Sequence, residues 1–205
     1  GVFNSGISRE QEWEHLKRLQ PDLLFEEIQG NFVRLSLGAY TLKWERHTEF
    51  TRYSLVQPLP QDAGLDAQDP ELLSFLALPD GWMAAIPGRT FAAVKLIMLH
   101  DDLSDPQQSL RKARHWFGEH AVVASRMGNG AHSMVVTDFR LRETGFERML
   151  VLAPQGTTDT RAGRISQRLL ELETYRLMAL RGLPVAKTVG AQLGQAEREL
   201  ADITA

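Results

Sequence analysis

The chain has 205 residues, of which 43% are hydrophobic and 24% charged, and a formal net charge of −3, room for one large domain, or one domain with an appendage, around a sizeable core. With a pI of about 6.1 it carries no global basic field, which argues against nucleic acid as a partner. It contains no cysteine, so disulfides and thiolate metal sites are excluded and a reducing compartment is favoured.

Taken in chain order, the first helix is expected at Ser8, where Ser8-Arg9-Glu10-Gln11 forms a capping box. Trp13, Leu16 and Leu19 supply its apolar stripe and Pro21 stops it. Residues 22–29 read equally as helix or strand. From Asn31 to Leu37 side chains alternate, with Val33, Leu35 and Leu37 on one side. Gly38 turns the chain into an expected long strand, Tyr40 to Tyr53, that pairs back as a hairpin.

Residues 57–70 are rich in Pro, Asp and Gly without a period and read as loop, followed by a short helix from Glu71 to Leu76. Pro79-Asp80-Gly81 is a turn, and Phe91 to Leu99 an apolar strand. Asp105-Pro106 opens a helix to about Phe117. Ala121–Met127, Ser133–Leu141 and Phe146–Leu152 are expected to form a three-stranded meander, with Asn129-Gly130 as a tight hairpin turn and a second turn at Thr144-Gly145.

After Pro154 the period changes. Asp159 or Thr160 can cap a helix with Ala162, Ile165, Leu169, Leu172 and Ala179 in one stripe. Gly182-Leu183-Pro184 is expected to break or kink it. A further helix carries Val189, Leu193, Ala196, Leu200 and Ile203 at heptad spacing, a narrow seam that would continue beyond Ala205 or pair with another chain. The reading is therefore an α+β fold, with a mainly antiparallel sheet, helices on one face and a long kinked C-terminal helix. The soluble domain covers 1–156 and the helical segment 157–205.

Two stretches carry a family resemblance: Leu42-Lys43-Trp44-Glu45-Arg46-His47-Thr48-Glu49-Phe50, and the series from Thr137-Asp138-Phe139-Arg140 through Arg161-Ala162-Gly163-Arg164 to Leu183-Pro184-Val185-Ala186. Over about residues 40–204 the chain resembles a bacterial family of predicted membrane-anchored proteins of unknown function. The resemblance implies a longer protein with membrane helices in a C-terminal region absent from this chain, and no established activity whose residues could be carried over. Neither a spanning apolar run nor a signal peptide is found within the chain itself. The expected location is thus the cytoplasmic face of the inner membrane, the expected partners other copies of the chain, and the expected role regulation, sensing or scaffolding without catalysis. An alternative is a cation-binding domain of a channel- or transporter-like protein, and a third a hydrolase with a composite site around His47. No cofactor is named by any motif.

The sharpest polar cluster is Glu45, His47 and Glu49. In a regular strand these share a face, but Glu45 and Glu49 would stand about 13 Å apart. All three therefore cannot ligate one metal at ~2 Å. Cross-strand pairing is the structural alternative. Arg164, Arg168, Glu171 and Tyr175 share a helix face and form either an ion network or an anion site. Arg168 and Glu171 are kept with the strand cluster as candidate ligand-binding residues. His100-Asp101-Asp102 suits either a hard cation or an ordinary strand-to-helix turn. His115, His120 and His132 are isolated. Ser125 and Ser133 lack a nucleophile elbow, and Gly128-Asn129-Gly130 lacks the Lys-Ser/Thr of a phosphate loop.

Overall fold

The computed structural model describes residues 1–66 and 78–204. The expected helix at Glu71–Leu76 lies outside them. The fold is α+β, with two sheets of mostly antiparallel strands and a long C-terminal helix.

The first sheet has the order β2-β3-β4-β1-β5: β1 Val2–Phe3, β2 Phe32–Ser36, β3 Thr41–Arg46, β4 Phe50–Val56 and β5 Arg89–Thr90. Helix α1, Arg9–Lys17, begins as read: the Ser8 side chain accepts from the backbone of Gln11, whose side chain answers on the Ser8 N–H. Residues 25–28 form a 3-10 turn, which settles the ambiguous stretch. Strand β2 buries Val33 and Leu35 and exposes Phe32 and Arg34, the alternation expected of a one-sided sheet. The expected strand from Tyr40 to Tyr53 is instead two strands. The chain reverses at His47-Thr48-Glu49, where the His47 N–H donates to the Phe50 carbonyl at 2.8 Å. Residues 40–53 do not need one long strand, because Trp44 can face Tyr53 across a hairpin and be buried there.

The core of this sheet packs Leu16, Leu23, Ile28, Val33, Leu42, Trp44 and Trp82. The Trp82 indole donates to the His15 carbonyl at 3.3 Å. That of Trp13 donates to the Leu23 carbonyl at 2.9 Å. Such bonds fix large rings that carry one polar atom each. Gly88 has φ +105, and a Cβ there would stand 2.3 Å from the Phe3 carbonyl oxygen. Only glycine lets β1 slot beside β5.

The second sheet has the order β6-β9-β8-β7: β6 Val94–His100, β7 Val123–Met127, β8 Ser133–Leu141 and β9 Glu147–Ala153. The meander forms as read, and β9 then inserts beside β6 in parallel. Its seven residues are all buried, as a strand flanked on both sides and covered on both faces must be. Helix α2, Pro106–Arg114, is capped by Asp105, which accepts from the N–H groups of Gln107 and Gln108 at 3.0 and 3.1 Å. It presents Ala113 and, in the 3-10 turn that follows, Trp116 and Phe117 to a core of Ile97, Leu99, Val136, Leu150 and Leu152.

The Asn129-Gly130 pair is not the two-residue turn expected. Met127 pairs with Ser133, so five residues make the loop, with Asn129–Ala131 as a 3-10 turn and positive φ at Gly128, Gly130 and Ala131. Between Thr137 and Leu141 the β8–β9 register slips, and Phe139 sits at φ +52. The bulge is held by Thr137 Oγ1, which accepts from the Phe139 N–H at 3.2 Å, and by Asp138, which accepts from the Arg140 N–H at 3.2 Å.

Helix α3 runs without interruption from Asp159 to Thr204. Thr158, one residue before the expected cap, accepts from the Arg161 N–H at 3.3 Å. Pro184 lies inside the helix, correcting the expected division into two. A proline removes one i to i−4 bond, and here the helix continues on both sides, with Thr188 Oγ1 donating to the Pro184 carbonyl at 3.1 Å. By contact, residues 1–166 form one compact unit and residues 167–205 a second.

Candidate functional site

The reversal at His47-Thr48-Glu49 disperses the three candidates. Glu45 remains on β3 and pairs with Arg52 directly across on β4, at 3.5 Å between Oε2 and Nη1. His47 stacks on Phe50 with ring centroids 4.3 Å apart, and its Nε2 is buried without a hydrogen-bond partner among the described residues. Glu49 is exposed at the turn, where its carbonyl accepts from the Asn4 N–H at 3.3 Å. Arg168 and Glu171 belong to the second unit, where Arg168 is exposed and Glu171 accepts from Gln167 at 2.9 Å.

The polar centre of the first sheet lies beneath this turn. Glu12 has 0% exposure and meets the Arg46 guanidinium on one carboxylate oxygen. On the other it accepts from Thr51 Oγ1 at 2.5 Å. Asn4 Nδ2 donates to Thr51 Oγ1 at 3.3 Å and to the His47 carbonyl at 2.9 Å. Arg46 also donates to the Ile7 carbonyl at 2.9 Å. Two strands thus meet the carboxylate of one helix directly, and the N-terminal segment joins them through Thr51 and Arg46. Both charges are matched and each carboxylate oxygen has a partner, which helps a buried ion pair to persist.

Beside it stand three aromatic groups with buried polar atoms: His15 Nε2, which has no partner among the described residues, and Trp44 Nε1 and the Tyr53 hydroxyl, which interact with each other. The His15 ring lies 4.3 Å from Trp82 and 6.0 Å from Tyr53, centroid to centroid. Burial, aided by the Arg18 charge, pushes the His15 pKa down to about 4. Burial and the neighbouring Glu12 carboxylate push the Tyr53 phenol up. His15 is therefore neutral at pH 7.

Sequence reading named no site residue at Arg46, whose strand neighbour Trp44 is buried in the core. It missed Glu12, although the signal was present: Glu12 precedes Leu16 by four residues and therefore lies on the buried stripe of α1. A carboxylate on an apolar stripe calls for a partner in the core.

A hydroxyl donating to a carboxylate resembles an activated nucleophile, yet Thr51 has 0% exposure and no substrate atom can reach it. The arrangement is a sealed brace between α1 and the β3–β4 hairpin.

The other candidates resolve into local bonds. Asp102 accepts from the backbone N–H and hydroxyl of Ser104 at 3.0 and 2.9 Å, and these bonds lower its pKa. Asp101 accepts from the Ser109 hydroxyl. The pair thus anchors the loop before α2, as a strand-to-helix turn would. The His115 ring meets the Lys112 carbonyl, and His132 Nε2 lies 3.0 Å from Thr157 Oγ1. His120 lines an open cleft of about 440 Å³ with Arg114 and Glu119. Among the described residues no three His, Asp or Glu side chains gather as metal ligands would, and no helix is long and apolar enough to cross a membrane.

No curated protein and no solved structure is similar to the chain. A family model does match, over residues 2–205, and carries the description protein of unknown function (DUF3422). The chain belongs to that family.

Proposed function

We propose that the chain is a non-catalytic assembly domain of a membrane-anchored protein, facing the cytoplasm and associating with further copies of itself through its helical unit. One observation carries the reading. Along α3, Leu172, Ala179, Ala186, Leu193 and Leu200 recur every seven residues, with Tyr175, Gly182, Val189, Ala196 and Ile203 three residues after each. This is a heptad seam of a and d positions, and it is exposed throughout. Leu193 is 59% exposed, Leu200 63% and Ile203 82%. A row of large apolar side chains in water is a feature of surfaces that bind protein.

The sealed polar centre and the locally bonded Asp101 and Asp102 support a role without chemistry. The complete lack of cysteine suits the reducing cytoplasm. The membrane anchor rests on the family resemblance of residues 40–204.

The test is the molar mass of the chain, 23.1 kDa as a monomer, measured by light scattering across a concentration series. A mass that rises to a multiple, and returns to the monomer in a Leu193→Glu/Leu200→Glu variant, supports the reading. A monomer at every concentration overturns it.

A further inference from the structure

Resting on the assembly reading above, we infer that the helical units associate in parallel and in register, so that the C-terminal ends of all copies emerge on the same side. The argument lies in the rows that flank the seam. In a heptad the e and g residues decide the relative direction of two helices, because they face each other across the apolar contact. In a parallel pair, each g residue faces the e residue five positions later on the partner helix. In an antiparallel pair, g faces g and e faces e.

With Leu172, Leu193 and Leu200 at a, the g row is Glu171, Met178, Val185, Gln192 and Glu199, and the e row is Arg176, Leu183, Gly190, Glu197 and Thr204. The parallel register sets Glu171 against Arg176, an ion pair made twice in a dimer. It sets Met178 against Leu183 and Val185 against Gly190, apolar on apolar. Gln192 then faces Glu197 and Glu199 faces Thr204, polar on polar. Every flanking pair matches in kind.

The antiparallel register in which all the seam positions overlap sets Arg176 against Glu197 and Leu183 against Gly190. However, it also sets Met178 against Glu199 and Val185 against Gln192. Glu199, which accepts from Gln195 at 2.9 Å, would face a thioether that offers its charge no cation, and removing water from such a carboxylate is costly. Leu183 and Val185 are 45% and 67% exposed, so the apolar flank awaits cover as the seam does. The Arg176 guanidinium is already oriented by Glu173 on its own helix, with Nε 3.0 and 2.9 Å from the two carboxylate oxygens. Pro184 falls at f, the position farthest from the seam, where its ring does not enter the contact.

The cysteine-free chain allows a direct test by single thiols at exposed seam positions, Leu172→Cys and Ile203→Cys. In the parallel register Ile203 meets Ile203 of the second copy, and Ile203→Cys alone bridges on mild oxidation to a reducible, covalent dimer. In the antiparallel register two Ile203 positions stand about 46 Å apart, at 1.5 Å per residue, and cannot bridge. A mixture of Leu172→Cys and Ile203→Cys would bridge instead. Expected is complete bridging of Ile203→Cys, with Leu172→Cys bridging only to itself in the mixture. A mixed Leu172–Ile203 bridge, or an oligomer by light scattering with no bridge at either position, overturns the parallel register and leaves the assembly reading standing. A monomeric mass overturns both. As a second readout, Arg176→Glu lowers the association at least several-fold and Glu171→Arg/Arg176→Glu restores it. Failure of the restoration counts against the register.

Discussion

The first sheet and the helical unit reverse the usual placement of residues in opposite ways. The sheet takes a carboxylate and a guanidinium out of water, Glu12 at 0% and Arg46 at 18% side-chain exposure. The helix leaves Leu172, Leu193, Leu200 and Ile203 more than half exposed. Charge is tolerated inside because the two strands of one hairpin each bond an oxygen of the Glu12 carboxylate, Arg46 on one and Thr51 on the other, and that geometry is complete within a single chain. The exposed leucines stay open to water along their own helix. The contrast separates a feature complete within one molecule from one for which we propose a second copy as cover.

Breaking the buried pair should give the largest effect. Arg46→Met leaves Glu12 charged and uncompensated in the core, and should lower stability by about 3–5 kcal/mol, measured by urea denaturation. Loss of under 1 kcal/mol would mean that the Glu12 carboxylate finds another partner or water. Gly88→Ala comes next. The positive φ and the Phe3 carbonyl at 2.3 Å from a new Cβ should cost about 2 kcal/mol or more, seen as a lower Tm with earlier exchange of the β1 amides.

The neutral His15 makes the sheet sensitive to acid. Its folded pKa, about 4, lies below the ordinary value of 6.5, so between these values the unfolded chain binds a proton that the folded chain does not. Stability should therefore fall as pH drops from 6.5 towards 4 and then level off for this group, by at most about 3 kcal/mol. A His15→Phe variant should lose that part of the pH dependence. An unchanged profile would refute the assignment.

A smaller effect, about 1 kcal/mol, is expected for Asp105→Ala, which removes the cap of α2. The smallest is expected in the helical unit. The change Leu193→Glu/Leu200→Glu should leave the melting of the sheets within about 0.5 kcal/mol of the parent at concentrations where both are monomers, while abolishing concentration-dependent mass. A large loss of monomer stability would mean that the seam belongs to the fold and not to an interface.

Much of the fold was legible because its signals are local. The capping box at Ser8, the alternation of β2, the Asp105 cap and the meander from 121 to 152 each depend on neighbouring residues. The Tyr40–Tyr53 stretch misled because β-propensity continues through His47-Thr48-Glu49, and nothing there but the tertiary hairpin marks a reversal. That reversal moved the site as well. The candidates Glu45, His47 and Glu49 assumed an unbroken strand, while the converging residues are Asn4, Glu12, Arg46 and Thr51, from distant parts of the chain.

By itself, the sequence determined most of the element types, the α+β class, the heptad spacing of α3 and the charge pattern beside it, since all of these follow from short periods along one chain. Only the tertiary structure decided that there are two sheets, that β9 enters beside β6 in parallel, that α3 passes through Pro184, and that Glu12 is buried against Arg46. Each of those outcomes depends on contacts between residues far apart in sequence, or on what covers a face, and such contacts leave no periodic trace in the chain that makes them.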